Sequence, residues 1–173
     1  MPNHLSILGI IHTAISILAL LVAFFCLLRD GKINPANGTG RLYVLLTVIT
    51  CFTALPIMRN PGHFTPGHYV AVIILILLPI GIYARSIHAF GKAADYIQVI
   101  IMSTTLFLSC IPAIVETLTR VPISHPIASG PNDPLIQNCL LGLFIMFVAG
   151  VAYQTFKLKK KKKSMQAPTM KFS

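Results

Sequence analysis

Three side chains carry most of the chemistry this sequence offers: His12, His68 and Glu116. Each stands within or at the edge of a long apolar run, where an ionisable group is costly unless it faces a partner or a cavity. Imidazole nitrogens on facing helices ligate a haem iron, and histidines with a carboxylate suit a divalent metal such as zinc or copper. A His–Glu pair also suits binding and deprotonating a quinol, or relaying a proton. No spacing here selects among these chemistries. His12, His68 and Glu116 are therefore candidate ligands of haem, a quinone or a metal, with His12 and His68 the candidate metal ligands. A lone carboxyl at this depth is expected to stay neutral unless His12, Arg120 or a metal pairs with it. The competing reading makes the histidines incidental and the chain a structural subunit or assembly factor of a larger membrane complex. No catalytic residue is indicated, because Ser, His and Asp form no hydrolase triad and Gly31, Gly38 and Gly40 form no phosphate loop.

Helices must position these residues. Of 173 residues 55% are apolar and 10% charged, against about 25% charged in a soluble domain. That composition excludes an ordinary soluble domain, a disordered chain and a coiled coil. A spanning helix needs about 20 apolar residues, and five stretches qualify, at about 5–28, 41–58, 67–84, 96–118 and 135–156. Backbone groups in lipid must pair within their own segment, so the fold class expected is an all-α membrane bundle of five helices. It forms one domain, 1–156, followed by a polybasic tail, 157–173. Polar or small stripes mark the inward faces: His12, Ser16, Ala19, Ala23 and Cys26 on the first helix, Thr47, Thr50 and Thr53 on the second, and Gln98, Thr105, Ser109, Pro112 and Glu116 on the fourth. Pro56, Pro79 and Pro112 are expected to kink their spans. Tyr43, Tyr69, Tyr83, Tyr96 and Tyr153 fall near span ends, as an aromatic belt would. Cys26, Cys51, Cys110 and Cys139 lie in apolar runs without CxxC spacing and are expected to be apolar filler.

Charge sets the orientation. There are 14 basic and 4 acidic residues, and seven of the basic ones lie in the last 17 positions. With five spans and a cytoplasmic C-terminus, twelve basic residues fall inside and only Arg59 and Arg120 outside, which predicts N-out, C-in. Asn37-Gly38-Thr39 is then a sequon on the wrong side for glycosylation, and is expected to be a flexible turn that starts the second helix at Arg41. Lys157 and Lys159, Lys160, Lys161, Lys162 and Lys163 are expected to attract anionic lipid head groups, at about 1 kcal/mol per Lys near the surface. Nucleic acid is not an expected partner, because the basic pI belongs to the tail.

Gly40-Arg41-Leu42-Tyr43 and Phe64-Thr65-Pro66-Gly67-His68 resemble a family of predicted bacterial multi-pass membrane proteins of unknown function. That family carries a His-Arg-x-x-Gly-Arg-x-Tyr segment and then a Ser-Pro-x-His segment. Here Ala36-Asn37 replace its His-Arg, and Thr65 replaces its Ser. The resemblance covers the layout of about residues 5–120. It implies a compact multi-helix membrane domain, in a bacterial inner membrane, and no reaction.

Overall fold

The structure, a computed structural model, describes residues 6–57, 64–122 and 124–166. They form five α-helices and no strand: α1 (Ile7–Asp30), α2 (Gly38–Ala54), α3 (Pro66–Tyr83), α4 (Ala94–Arg120) and α5 (Pro134–Gln166), with a 3₁₀ turn over His88–Ala93 leading into α4. Four of them, α1, α3, α4 and α5, are long and apolar enough to cross a membrane. That is the build of a multi-pass membrane protein. At 17 residues, α2 is shorter, rising about 26 Å against a hydrocarbon core of about 30 Å.

Local chemistry sets the helix ends. Ser6 caps α1 by accepting from the Gly9 N–H at 3.1 Å, and Gly31 closes it at φ 70°, its N–H bonded to the Leu27 carbonyl, the left-handed stop that glycine favours. The start of α2 differs from expectation. Asn37 is an N-cap, its Oδ1 accepting from the Gly40 N–H at 2.7 Å, so the helix begins at Gly38 and not Arg41. Asn, like Ser and Asp, caps because its side-chain oxygen satisfies an orphan backbone donor. The end differs too. The helix stops at Ala54, because Pro56 has no N–H with which to continue the ladder. Pro56 therefore follows the helix and kinks nothing; residue 58, the expected end, lies outside the described residues. Pro79 and Pro112 do lie inside α3 and α4. At α5, Pro134 takes the first helical position and Asp133 caps it, with Oδ1 accepting from the Leu135 N–H at 2.9 Å, the arrangement proline's missing donor favours. The boundary expected at 156 falls within α5, which continues unbroken through the lysine run to Gln166.

The helices α1, α2, α3 and α4 close a ring, each touching the next and α1 touching α4, while α5 packs outside the ring on α4. Ala23, Cys26, Tyr43, Cys51, Ile74, Leu78 and Met102 form the core. Tyr43 is a correction to the aromatic belt: it is fully buried, and its hydroxyl lies 2.9 Å from Thr105 Oγ1. Thr105 donates to the Met102 carbonyl, so it accepts from Tyr43. Tyr69, Tyr83 and Tyr153 are exposed, as expected. Gly81 lets α3 approach α4, since a Cβ there would meet Ile101 and Met102, and Gln98 reaches back to donate to the Gly81 carbonyl at 3.1 Å. A buried polar link to α5 is Ser103 Oγ donating to Gln154 Oε1 at 2.8 Å, beside Phe107 stacked on Phe147.

Candidate functional site

One end of the bundle gathers the candidate ligands. His12, on α1, has Nδ1 3.0 Å from Thr53 Oγ1 on α2. The Thr53 proton is committed to carbonyls of its own helix, Ile49 at 2.9 Å and Thr50 at 3.0 Å. Thr53 is therefore placed to accept from His12 Nδ1. The Thr50 backbone carbonyl is also within hydrogen-bonding reach of the His12 ring.

His68 is placed differently. It is 3% exposed, in the first turn of α3. The Thr65 N–H donates to its Nδ1 at 3.0 Å, and the Thr65 hydroxyl lies 2.7 Å from the same nitrogen. Nδ1 is thus an acceptor, and the proton sits on Nε2, which donates to the Leu55 carbonyl at 3.1 Å. Leu55 is the C-cap of α2. One imidazole satisfies an orphan donor at the start of α3 and an orphan carbonyl at the end of α2, groups every helix end leaves unpaired. Both ring nitrogens are used, and no lone pair remains for a metal or a haem iron. Phe64 packs against the ring at 5.5 Å, nearly perpendicular.

Glu116 pairs with Arg120, one helical turn on, and its side chain is 55% exposed. The fourth-helix stripe therefore starts buried, at Gln98 and Thr105, and emerges at Glu116. The expectation of a neutral acid lapses because the named cation partner is present. Among the described residues no group of three or more His, Cys, Asp or Glu could hold a metal ion. His12, His68 and Glu116 all sit toward one end of the bundle, and His12 lies within reach of the Glu116 charge. His125 and His88 are exposed, and His4 and His63 lie outside the described residues.

The opposite end holds a charge network that the search for ligands did not single out. Asp95 binds Arg85 at 2.8 Å and Lys162 at 2.6 Å, joining the end of α3, the start of α4 and the lysine run of α5. Lys162 also donates to the Lys92 carbonyl at 3.4 Å and lies over the Tyr96 ring. Lys162 and Arg85 hold the Asp95 carboxyl below its ordinary range. A second network ties Asp30 to Arg29 at 2.8 Å and to Asn37 Nδ2 at 2.9 Å, and Arg29 donates to Thr39 at 3.0 Å. Burial pushes the Lys32 ammonium below its usual value, and Arg85 and Lys161 push the same way. The sequence did carry a signal: Asp30 and Asp95 are the two acids on the side to which it assigns twelve bases.

No protein family, curated protein or solved structure matches the chain in comparison.

Proposed function

We propose that the chain is a five-span, N-out, C-in protein of a bacterial inner membrane, serving as a structural or assembly subunit of a larger membrane complex without a redox cofactor of its own. The observation that carries this reading is His68. A ligand histidine must offer a nitrogen lone pair, and His68 spends both nitrogens fastening α2 to α3. Glu116 is likewise engaged, with Arg120. The five-span topology is supported by the gathering of the α1–α2 connection, the α3–α4 connection and the α5 lysines at one end of the bundle, where Lys157 Nζ lies 3.2 Å from the place a Cβ on Gly31 would take. Lys159, Lys160 and Lys163 are exposed there and attract anionic head groups, at about 1 kcal/mol each near the surface; Lys162 is turned inward by Asp95.

The test is purification in mild detergent. The reading expects a stoichiometric membrane-protein partner, retained in His12→Ala, and overturns if the chain is a partnerless species whose activity depends on His12. Reporter fusions after Lys92 and Asp133 are expected to read cytoplasmic and external, and Asn37 to stay unglycosylated in a eukaryotic host. The opposite pattern removes the topology.

A second reading has one specific observation in its favour. His12, about one and a half turns into α1, lies within reach of the Glu116 charge, and a His–Glu pair suits binding and deprotonating a quinol. Quinone binding lost in His12→Ala and kept in His68→Gln would favour it over the structural reading.

A further inference from the structure

Among the described residues, Arg29 pairs with Asp30, Arg85 with Asp95 and Arg120 with Glu116; Arg41 is the arginine left without a carboxylate. It is exposed, in the first turn of α2, at the basic end of the bundle. The two acids at that end, Asp30 and Asp95, are already engaged. Below Arg41 runs a cavity of about 310 Å³, lined by Val44, Leu45 and Val48 of α2 with Ile82 of α3 and Pro35. From Arg41 to Val48 the helix descends about 10 Å. A guanidinium thus stands at the mouth of a groove whose other walls are apolar and lead along the membrane-spanning direction.

We propose that this groove is a phospholipid site, with the phosphate on Arg41 and the upper part of one acyl chain between α2 and α3. The complementarity is twofold. A guanidinium recognises phosphate oxygens by a planar fork of donors, and it is less strongly hydrated than an ammonium. The aliphatic walls of Val44, Leu45, Val48 and Ile82 offer nothing to water and match a hydrocarbon chain. A free phosphate would use Arg41 and leave the groove idle; a lipid uses both. The exposed lysines on α5 attract head groups diffusely, as point charges near a surface, whereas the groove holds one molecule in a defined place.

The experiment is native mass spectrometry of the full chain in mild detergent, titrated with phosphatidylglycerol. The parent is expected to retain one lipid that is weakened about tenfold or more in Arg41→Ala. Arg41→Lys, which keeps the charge and loses the fork, should fall between. Leu45→Trp fills the groove from an exposed position, so the fold should tolerate it, and it is expected to weaken the same lipid comparably. Lys159, Lys160 and Lys163 replaced together by Gln should leave that lipid bound and remove the looser ones. Inorganic phosphate at equal concentration should not displace it. An unchanged lipid in Arg41→Ala, or its loss in the triple lysine variant, overturns the site. A lipid weakened by Arg41→Ala but indifferent to Leu45→Trp, or displaced by inorganic phosphate, overturns the groove as its seat.

Discussion

At the basic end of the bundle, Asp95 gathers Arg85 and Lys162 from two other elements through ion pairs, while at the other end His68 joins α2 to α3 through neutral hydrogen bonds. The difference follows exposure. The Asp95 side chain keeps 27% of its surface, and its partners reach water, so charges there cost little desolvation and contribute little. His68 is 3% exposed, and a charge in its place would carry a penalty of several kcal/mol. A neutral imidazole supplies a donor and an acceptor from one ring without that penalty. Glu116 tests the rule from the other side: it is at the His68 end, in an ion pair with Arg120, and it is exposed. The Asp95 network should therefore weaken as salt is raised while the His68 clamp stays indifferent to it, and the two should respond unequally to mutation.

The largest effect expected is at His68. In His68→Ala the Leu55 carbonyl and the Thr65 N–H lose their partner in a buried setting, and stability should fall by about 2–4 kcal/mol. His12→Ala should cost less, because Thr53 keeps its bonds to its own helix. Thermal unfolding of the two variants in detergent compares them directly; equal losses would break the distinction between a clamp and a half-buried contact. Next is Asn37→Ala, which removes the N-cap of α2 and its bond to Asp30, and should cost about 1 kcal/mol.

Asp95→Asn comes third, at about 0.5–1 kcal/mol in low salt, shrinking as salt is raised because exposed pairs are screened. Its pH dependence has a fixed sign. Lys162 first, and then Arg85, hold the folded carboxyl below its ordinary value, so the stabilisation is complete above the unfolded value of about 3.9 and is lost as pH falls through the lower folded value. Parent and variant should therefore converge in acid. A gap that widens in acid, or one indifferent to salt, would contradict an ionic basic end. The smallest effect is Glu116→Gln. An exposed i,i+4 pair is worth about 0.2–0.5 kcal/mol, so a loss of several kcal/mol would mean a buried partner for Glu116.

Much of this was legible in the residues. The four long spans follow from runs of apolar residues long enough to need no tertiary information, and Ala19, Ala23 and Cys26 are buried on α1 as their spacing requires. Helix ends were less legible where a single polar residue decides them. Asn37 read as a turn and acts as a cap; Pro56 read as a kink and stands beyond the helix. Tyr43 shows the limit of position along a span. Depth near an interface is the same for a belt tyrosine and a core tyrosine, and only the facing Thr105 on α4 tells them apart. The clamp at His68 was hidden for a similar reason. A histidine in the first turn of a helix suggests a rim ligand, but the carbonyl it must satisfy belongs to the end of another helix, 13 residues back. The Thr65-x-x-His68 spacing carried a signal, since the residue at that position can return a bond to the N-cap backbone, as in a capping box.

We propose that the polar groups at the His12 and His68 end hold helices together and carry no cofactor. The most direct test is the visible absorption spectrum and metal content of the chain purified in mild detergent from its native membrane. The account predicts no Soret band and no stoichiometric metal, in the parent and in His12→Ala alike. A Soret band or a stoichiometric metal present in the parent and lost in His12→Ala would contradict it.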